Sequence, residues 1–365
     1  MHRVHLTYTL QGHEDAQRDL HHPLMAMLAA VHDTGSISAG ARRLSLSYRH
    51  VWGELKRWEL EFGQTLVRWA KGQPAALSPF GEKLLWAERR AQARLAPKVE
   101  ALRSELEQAF AIAFDDSASV LPIAASHDDA LPLLRQLAQH GHKLHLDISF
   151  CGSVDALAAL NAGQCLLAGF HALTDAPARS PTARAYRALL KPGQHKLVSF
   201  ARRTQGLMVA PGNPLGLRQL ADLQRPGLRF AARDAGTGTR VVLDQLLAAL
   251  HIDPAHIQAL VRTEPSHRAA AEAVASGSAD VSFGIEAAAR ARGLDFLPLA
   301  HEQYFLVALR AALDHPPVRS LLELLRSPAW QQQLNALPGY AAERSGEVLS
   351  LNRVLPWWRY RRPKP

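Results

Sequence analysis

Residues 34–56 read TGSISAGARRLSLSYRHVWGELK. A serine-punctuated run of small residues leads into a segment carrying Tyr48, Arg49, His50, Trp52 and Lys56. Large polar and aromatic side chains crowded at a helix start build a poor core and suit a surface that meets another molecule. Upstream, HPLMAMLAAVHDTG places Leu24, Met27, Leu28 and Val31 at helical spacing, and Gly35 ends that helix. Ser36 or Ser38 caps a second, short helix in which Ala39, Ala41 and Leu44 allow close packing. Ser45 or Ser47 opens a third helix through about Phe62, with Val51, Leu55, Trp58 and Phe62 as its inward stripe. Tyr48, Arg49, His50, Gly53, Lys56 and Arg57 fall largely off that stripe.

That exposed face suits a major groove, arginine reading guanine edges and lysine holding phosphate. The next stretch, GQTLVRWAKGQPAALSPFGEKLLW, has two short apolar segments flanking a turn at Lys71-Gly72-Gln73-Pro74. It predicts a β-hairpin wing with a basic tip, after which Ser78-Pro79 starts another helix. Between Thr34 and Lys98 there are 12 Lys/Arg against 5 Asp/Glu, while the whole 365-residue chain carries +9. A local excess of that kind favours a polyanion, with nucleic acid first in line. The candidate DNA contacts are Ser36, Ser38, Arg42, Ser47, Tyr48, Arg49, His50, Lys56, Arg57 and Lys71.

These segments resemble the winged helix-turn-helix of LysR-type regulators. GSIS and SYRHVW are closer still to the ModE-type, molybdate-responsive regulators. The resemblance covers roughly residues 20–100.

Ahead of this region RVHLTYTL alternates as a half-buried strand, to pair with the wing or with a second protomer. Behind it, residues 79–110 carry Leu84, Ala87, Ala91, Leu95, Val99, Leu102 and Leu106 as a helical seam. The seam reads as a dimer interface, with packing against the same chain's winged domain as the alternative. Pro97 is expected to kink or divide that helix. DDSASV, residues 115–120, is a polar joint.

From Val120 strands and helices alternate, which implies an α/β fold with largely parallel sheets, two of them by length. The half resembles a type 2 periplasmic-binding-protein fold, the effector domain of LysR-type regulators, with a distant likeness to molybdate- and tungstate-binding proteins. LMVAPGNPLGLRQLADL, RDAGTGTR, AVASGSADVSFGI and YFLVAL carry that likeness, over roughly residues 120–340. The expected architecture is therefore α/β plus an α-rich winged helix. A winged helix-turn-helix spans 1–78, a linker or dimerisation helix 79–117, a two-lobed effector domain 118–345 and a basic aromatic tail 346–365.

Ligands in such folds bind beyond the carboxyl ends of strands. Four strand ends gather candidates: Ser126-His127-Asp128; Gly152-Ser153; Gly236-Thr237-Gly238-Thr239-Arg240; and Gly284 with Ser266-His267. Any one of these Ser, Thr or Gly residues reads as an ordinary cap, but four such ends in one fold read as a site. The third end offers N–H groups, hydroxyls and Arg240 as a bidentate partner, favouring an anion. Asp128 and Asp129 work against this by making one mouth of the cleft acidic. Lobe crossings are expected near Gln205–Ala210 and Ala300–Phe305.

Catalytic readings fail. DAGTGTR lacks the lysine of a P-loop, no G-x-S-x-G elbow occurs, and HGHKLH at 140–145 has no Cys or acidic partner at metal-ligand spacing. Cys151 and Cys165 are the two cysteines, read as inert core thiols. The tail PWWRYRRPKP either touches phosphate or ends the chain on two packed tryptophans.

With no apolar run long enough for a membrane and no signal core, the expected compartment is the cytoplasm. The reading is a non-enzymatic, one-component transcription regulator, a homodimer or homotetramer, without cofactor or metal. Its effector is a small molecule or oxyanion: molybdate, tungstate, or a small organic acid such as formate. The alternative is an intracellular solute-binding protein or enzyme with a basic appendage.

Overall fold

A computed structural model describes residues 22–69, 73–114, 119–260 and 263–358. The segment 3–10 expected as a strand, Lys71 of the expected wing turn and the last residues of the tail lie outside the described residues. The chain divides into two compact units, Met1–Gln92 and Ala93–Pro365.

In the first unit α1 (Pro23–Thr34), α2 (Ile37–Arg43) and α3 (Tyr48–Phe62) surround one core. Its centre is Leu24, Met27, Leu28 and Val31 of α1, Ile37 and Ala41 of α2, and Val51 and Leu55 of α3. Trp58 and Phe62 pack against that core while remaining partly exposed. Gly35 takes φ +62° where α1 stops, a conformation that favours glycine. The short strands β1 (Val67–Arg68) and β2 (Ala76–Leu77) pair antiparallel as a wing. Ser78 then caps α4 (Pro79–Phe114), accepting from Gly81 N at 3.0 Å. α4 is one helix of 36 residues with Pro97 inside it, so of the two expected outcomes, a kink or a division, Pro97 does not bring about the division. A proline removes a single main-chain N–H bond, and the turns on either side carry the helix past it.

The second unit runs β3 (Ser119–Ala125), α5 (Ala130–His142), β4 (Leu144–Phe150), α6 (Ser153–Asn161), β5 (Leu167–Ala172), α7 (Pro181–Tyr186) and β6 (His195–Val209). It continues with β7 (Phe230–Ala231), α8 (Gly238–Ala249), α9 (His267–Ala275), β8 (Val281–Ile285), α10 (Glu286–Arg290) and β9 (Asp295–Leu309). It ends on α11 (Pro316–Arg326), α12 (Pro328–Asn335), β10 (Tyr340–Ala341), β11 (Val348–Ser350) and α13 (Leu351–Val354).

The strands form one sheet, ordered β4-β3-β5-β9-β6-β8-β7, with β10 and β11 added on β6. β3 pairs parallel with β4 and β5, and β7 with β8, but β9 and β6 run antiparallel to all their partners. The sheet is thus mixed and continuous rather than two largely parallel sheets. The cause lies in β6 and β9, 15 residues each, which pass side by side through both lobes in opposite directions. Their register shifts at Gln205/Gly206, inside the expected first crossing and opposite Ala300 and Pro298.

β11 and α13 correct the expected tail boundary. Val348–Ser350 pairs with β6, and Leu349, Leu351, Leu355 and Trp357 are buried in a core of this unit. Trp357 donates to Ala176 O at 2.9 Å. Residues 348–358 therefore belong to the fold of the second unit. No helix of the described residues is long and apolar enough to cross a membrane.

Candidate DNA interface and effector site

α3 is oriented from both ends. Ser47 caps it, accepting from His50 N at 3.1 Å, and Gly63 ends it in the left-handed region. Glu59 ties it to the wing by accepting from Leu66 N at 2.8 Å and Val67 N at 3.2 Å. The same carboxylate holds Lys56 Nζ at 2.6 Å, and Lys56 lies over the Trp52 ring.

With Val51 and Leu55 buried, Tyr48, Arg49, His50, Gly53, Lys56 and Arg57 are exposed. Arg49 and Arg42 have no hydrogen-bond or acidic partner among the described residues, and neither does Arg68 on the wing. Arg57 instead pairs with Glu54 at 2.7 Å on the helix flank, which weakens its claim as a DNA contact. Ser36 caps α2, accepting from Ala39 N at 3.2 Å, and Ser38 is exposed beside it.

Two aromatic residues, Trp52 and Trp69, had no place among the sequence candidates. Tyr48 stacks on Trp52 with centroids 6.2 Å apart, and Trp52 meets Trp69 of the wing edge-on at 5.9 Å. Tyr48 is 50% and Trp69 58% exposed. The wing's contribution was hidden because Trp69 lies in a hairpin whose pairing brings it back onto α3.

In the second unit, residues from all four strand ends converge on one buried polar network. Ser126 Oγ lies 3.4 Å from Ser153 Oγ, which lies 3.3 Å from His171 Nδ1. The His171 ring packs on Tyr304 with centroids 4.0 Å apart. From the other lobe Thr239 Oγ1 lies 3.1 Å from His267 Nε2. Gln205 at the crossing donates to Glu302 at 2.8 Å and lies 3.5 Å from Thr239 Oγ1. Gly284 stands against Met208 and His267; a Cβ there would lie 3.1 Å from His267 Nδ1.

The lobes touch at the mouth. Val154 N donates to Gly236 O at 3.3 Å, and a Cβ on Gly152 would stand 3.0 Å from that same oxygen. A Cβ on Gly238 would lie 2.6 Å from His171 Nδ1. The glycines at the β4–α6 and β7–α8 turns thus let the two lobes close with helix starts facing one another.

Five buried polar atoms of this network have no hydrogen-bond partner among the described residues: His171 Nε2, His267 Nδ1, Gln205 Oε1, Glu302 Oε2 and Tyr304 OH. Burial, reinforced by Arg203 and Arg233, holds His171 well below the usual imidazole range. His267 is depressed by the same burial and the same two arginines. Both rings are therefore neutral at pH 7. Burial also lowers Arg233 to about 10, with Arg203 adding repulsion.

Several candidates turn out to have other employment. Asp128 does not make the cleft mouth acidic: it is 1% exposed and accepts from Ala130 N, the first residue of α5, at 2.8 Å. Its second oxygen is held by Arg203 and by Tyr340 OH at 2.8 Å, and Arg203 also pairs with Glu302. Arg240 is turned along its own helix to Asp244 at 2.8 Å, so it is no bidentate ligand partner here. Thr237 caps α8 and donates to Asp234 O at 2.7 Å, while Ser266 caps α9. His127 packs against Phe150, centroids 5.0 Å apart, and burial lowers its pKa.

The residues absent from the sequence candidates are His171, Arg203, Gln205, Arg233, Glu302 and Tyr304. Each is a polar residue or tyrosine that lies inside or beside a strand and is itself buried. A polar residue interrupting a continuous apolar strand was the available signal.

Residues 23–82 match the model of the bacterial regulatory helix-turn-helix protein, lysR family, and residues 134–326 that of the PBP superfamily domain. The Bacillus subtilis protein YvgK is 32% identical over 198 residues, 54% of this chain and 63% of YvgK. The chain thus spans less than two thirds of YvgK's length. A Clostridium pasteurianum protein encoded in the 5′ region of a 2Fe-2S ferredoxin gene is 32% identical over 111 residues, 30% of this chain and 98% of that protein. Among solved structures, a hydrogen-peroxide-bound cysteine-to-serine mutant of Corynebacterium glutamicum OxyR aligns at 17% identity and TM-score 0.43, covering 82% of this chain and 91% of OxyR. The chain belongs to the PBP superfamily domain family and carries a LysR-family helix-turn-helix ahead of that domain.

Proposed function

We propose that this protein is a one-component transcription regulator in which α3 and the wing bind double-stranded DNA and the lobed unit binds a small effector. The DNA reading is carried by α3: an exposed helix face with arginine free of acidic partners, held against a wing. Dimerisation follows from α4, where Ala87, Ala91, Val99 and Leu102 of the seam are exposed. Two copies joined there present two recognition helices to paired half-sites, as a homodimer or as a homotetramer built from two.

The effector reading is carried by the five unpartnered polar atoms at the junction of the lobes. Buried polar groups are costly without partners, and a bound ligand supplies them. The ligand brings both donors and acceptors, because Gln205 Oε1 and Glu302 Oε2 accept while the imidazoles and Tyr304 can donate. Arg203 and Arg233 balance Asp128 and Glu302 in formal charge. An anion would therefore rest on the starts of α6, α8 and α9, and on protonation of His171 or His267. Molybdate, tungstate and formate are the effectors proposed for test, with genes of a molybdenum enzyme such as formate dehydrogenase as targets.

Calorimetry on the full chain with molybdate, tungstate, sulfate and formate tests this. Heat that disappears in Thr239→Val supports an oxyanion at this site; silence from all four removes the proposed ligands. Footprinting on DNA upstream of neighbouring genes, with and without the ligand that gives heat, tests the regulator. Absence of any protected sequence would refute it.

A further inference from the structure

Three glycines lie within helices of the first unit, and two have a reason inside the fold. A Cβ on Gly40 would stand 3.2 Å from the main chain of Ala30, where α2 crosses α1. One on Gly81 would stand 2.3 Å from Leu66 O. Gly53 is different. It sits in the middle of α3, is exposed, and a Cβ built there meets nothing within 4 Å. Its backbone is not in the left-handed region, so no turn requires glycine. Apart from proline, glycine is the least favourable residue for a helix interior. The fold therefore carries a weak spot in its most functional helix with nothing of its own to gain from it.

Around this bare backbone the surface is built for a polyanion. Arg49 lies one turn before Gly53, exposed and without an acidic partner among the described residues. Arg42 and Arg68 are likewise free among the described residues. Beside it stand Tyr48, Trp52 and Trp69, in ring-to-ring contact from helix to wing. Exposed aromatic edges of this kind meet apolar features such as the thymine methyl group in the major groove.

We propose that Gly53 is the point where DNA comes closest to α3. The missing side chain lets a base edge reach van der Waals contact with the helix backbone, between Arg49 and the Tyr48–Trp52–Trp69 bank. This rests on the assignment of α3 as the DNA-reading helix, and the test separates the two claims.

The experiment uses the full-length chain and an operator obtained by footprinting. Melting temperature and operator affinity are measured for Gly53→Ala, Gly53→Leu and Arg49→Ala. Alanine at 53 should melt no lower than the parent, and a few degrees higher if the helix sets the transition. It should bind the operator at least tenfold more weakly, with leucine weaker again. Affinity for unrelated DNA should fall less, since that binding rides on phosphate contacts. If Gly53→Ala binds as the parent does while Arg49→Ala is impaired, the close approach is refuted and α3 remains the reading helix. If both bind as the parent does, both claims fall. If Gly53→Ala melts lower than the parent, the glycine serves packing within the fold and the proposal is overturned.

Discussion

The first unit displays its working side chains and the second hides them. On α3 the functional candidates are exposed and make few contacts, so their removal leaves the fold nearly untouched. In the lobed unit the corresponding groups are buried in a polar network where stability and ligand chemistry share the same atoms. The two helical glycines Gly53 and Gly238 put the contrast in one residue type. A methyl group at Gly53 meets open space, whereas at Gly238 it meets His171 at 2.6 Å.

The strongest way to break this comparison is Arg203→Met. Arg203 is 1% exposed and pairs with both Asp128 and Glu302. Against the cost of burial, those carboxylates hold its pKa well above the ordinary value. Removing it leaves two buried carboxylates without a counter-ion, which costs about 3–5 kcal/mol. Denaturant unfolding of the full chain measures this. A loss below about 1 kcal/mol would mean that water reaches these carboxylates and the network is not sealed.

Gly238→Ala follows. Its methyl group clashes with a ring fixed between Ser153 and Tyr304, and overpacking of that kind costs about 1–3 kcal/mol in the closed form. If effector binding closes the lobes further, the cost should appear mainly as lost effector affinity. The thermal shift given by an active effector should shrink or vanish, while the ligand-free melting temperature moves less. An unchanged thermal shift would show that closure of the lobes does not accompany binding.

On the exposed side, Arg49→Ala should change unfolding stability by no more than about 0.5 kcal/mol. It should cost about 1–3 kcal/mol of operator binding, concentrated at one base pair. Lys71→Ala, at the position the sequence assigns to the wing's turn, should instead weaken all sequences alike and lower the salt slope by about one. A base-pair-specific loss from Lys71→Ala, with a uniform one from Arg49→Ala, would reverse the assigned roles.

How far each region was legible follows from the same contrast. The winged unit is written in local patterns. Leu24, Met27, Leu28 and Val31 repeat at helical spacing, Ser36 and Ser47 stand where caps belong, and the exposed face is what remains. The lobed unit depends on distant pairing. Arg203 meets Asp128 across 75 residues of chain, and Tyr340 meets it across 212. No local pattern could announce that Asp128 is neutralised, so it read as a cleft anion. His171 was passed over at the end of a short extended segment, Gln205 was read only as part of a lobe crossing, and Glu302 fell between two segments read as separate strands, while the alternation that identifies a strand is silent on its direction. The antiparallel course of β6 and β9 was lost for that reason. The turns with Gly152, Gly236 and Gly238 were legible because glycine and serine at a strand-to-helix turn are themselves local signals.

The smallest effect expected is at Asp129, where the sheltered region meets solvent. Burial, with the neighbouring Asp128 charge adding to it, raises its pKa to about 6. In the unfolded chain an aspartate titrates near 3.9. The native state thus holds this proton more tightly than the unfolded state does. Its stabilising contribution is complete below about pH 4 and is lost as pH rises through about 6. Each pKa unit corresponds to about 1.4 kcal/mol for a fully sheltered group, but the half-buried carboxyl is partly screened, which leaves about 1 kcal/mol. Buried His171 and His267 tilt the curve the other way. Their depressed values give a contribution that is present above about pH 6.5 and lost as pH falls. The parent's curve mixes these slopes, so the informative quantity is the difference between parent and Asp129→Asn. Asparagine should be more stable than the parent by about 1 kcal/mol at pH 7–8 and should lose that advantage by about pH 4.5. Urea unfolding of both proteins across this range measures it. A pH-independent difference would place Asp129 in ordinary solvent and move the edge of the sheltered region inward to Asp128.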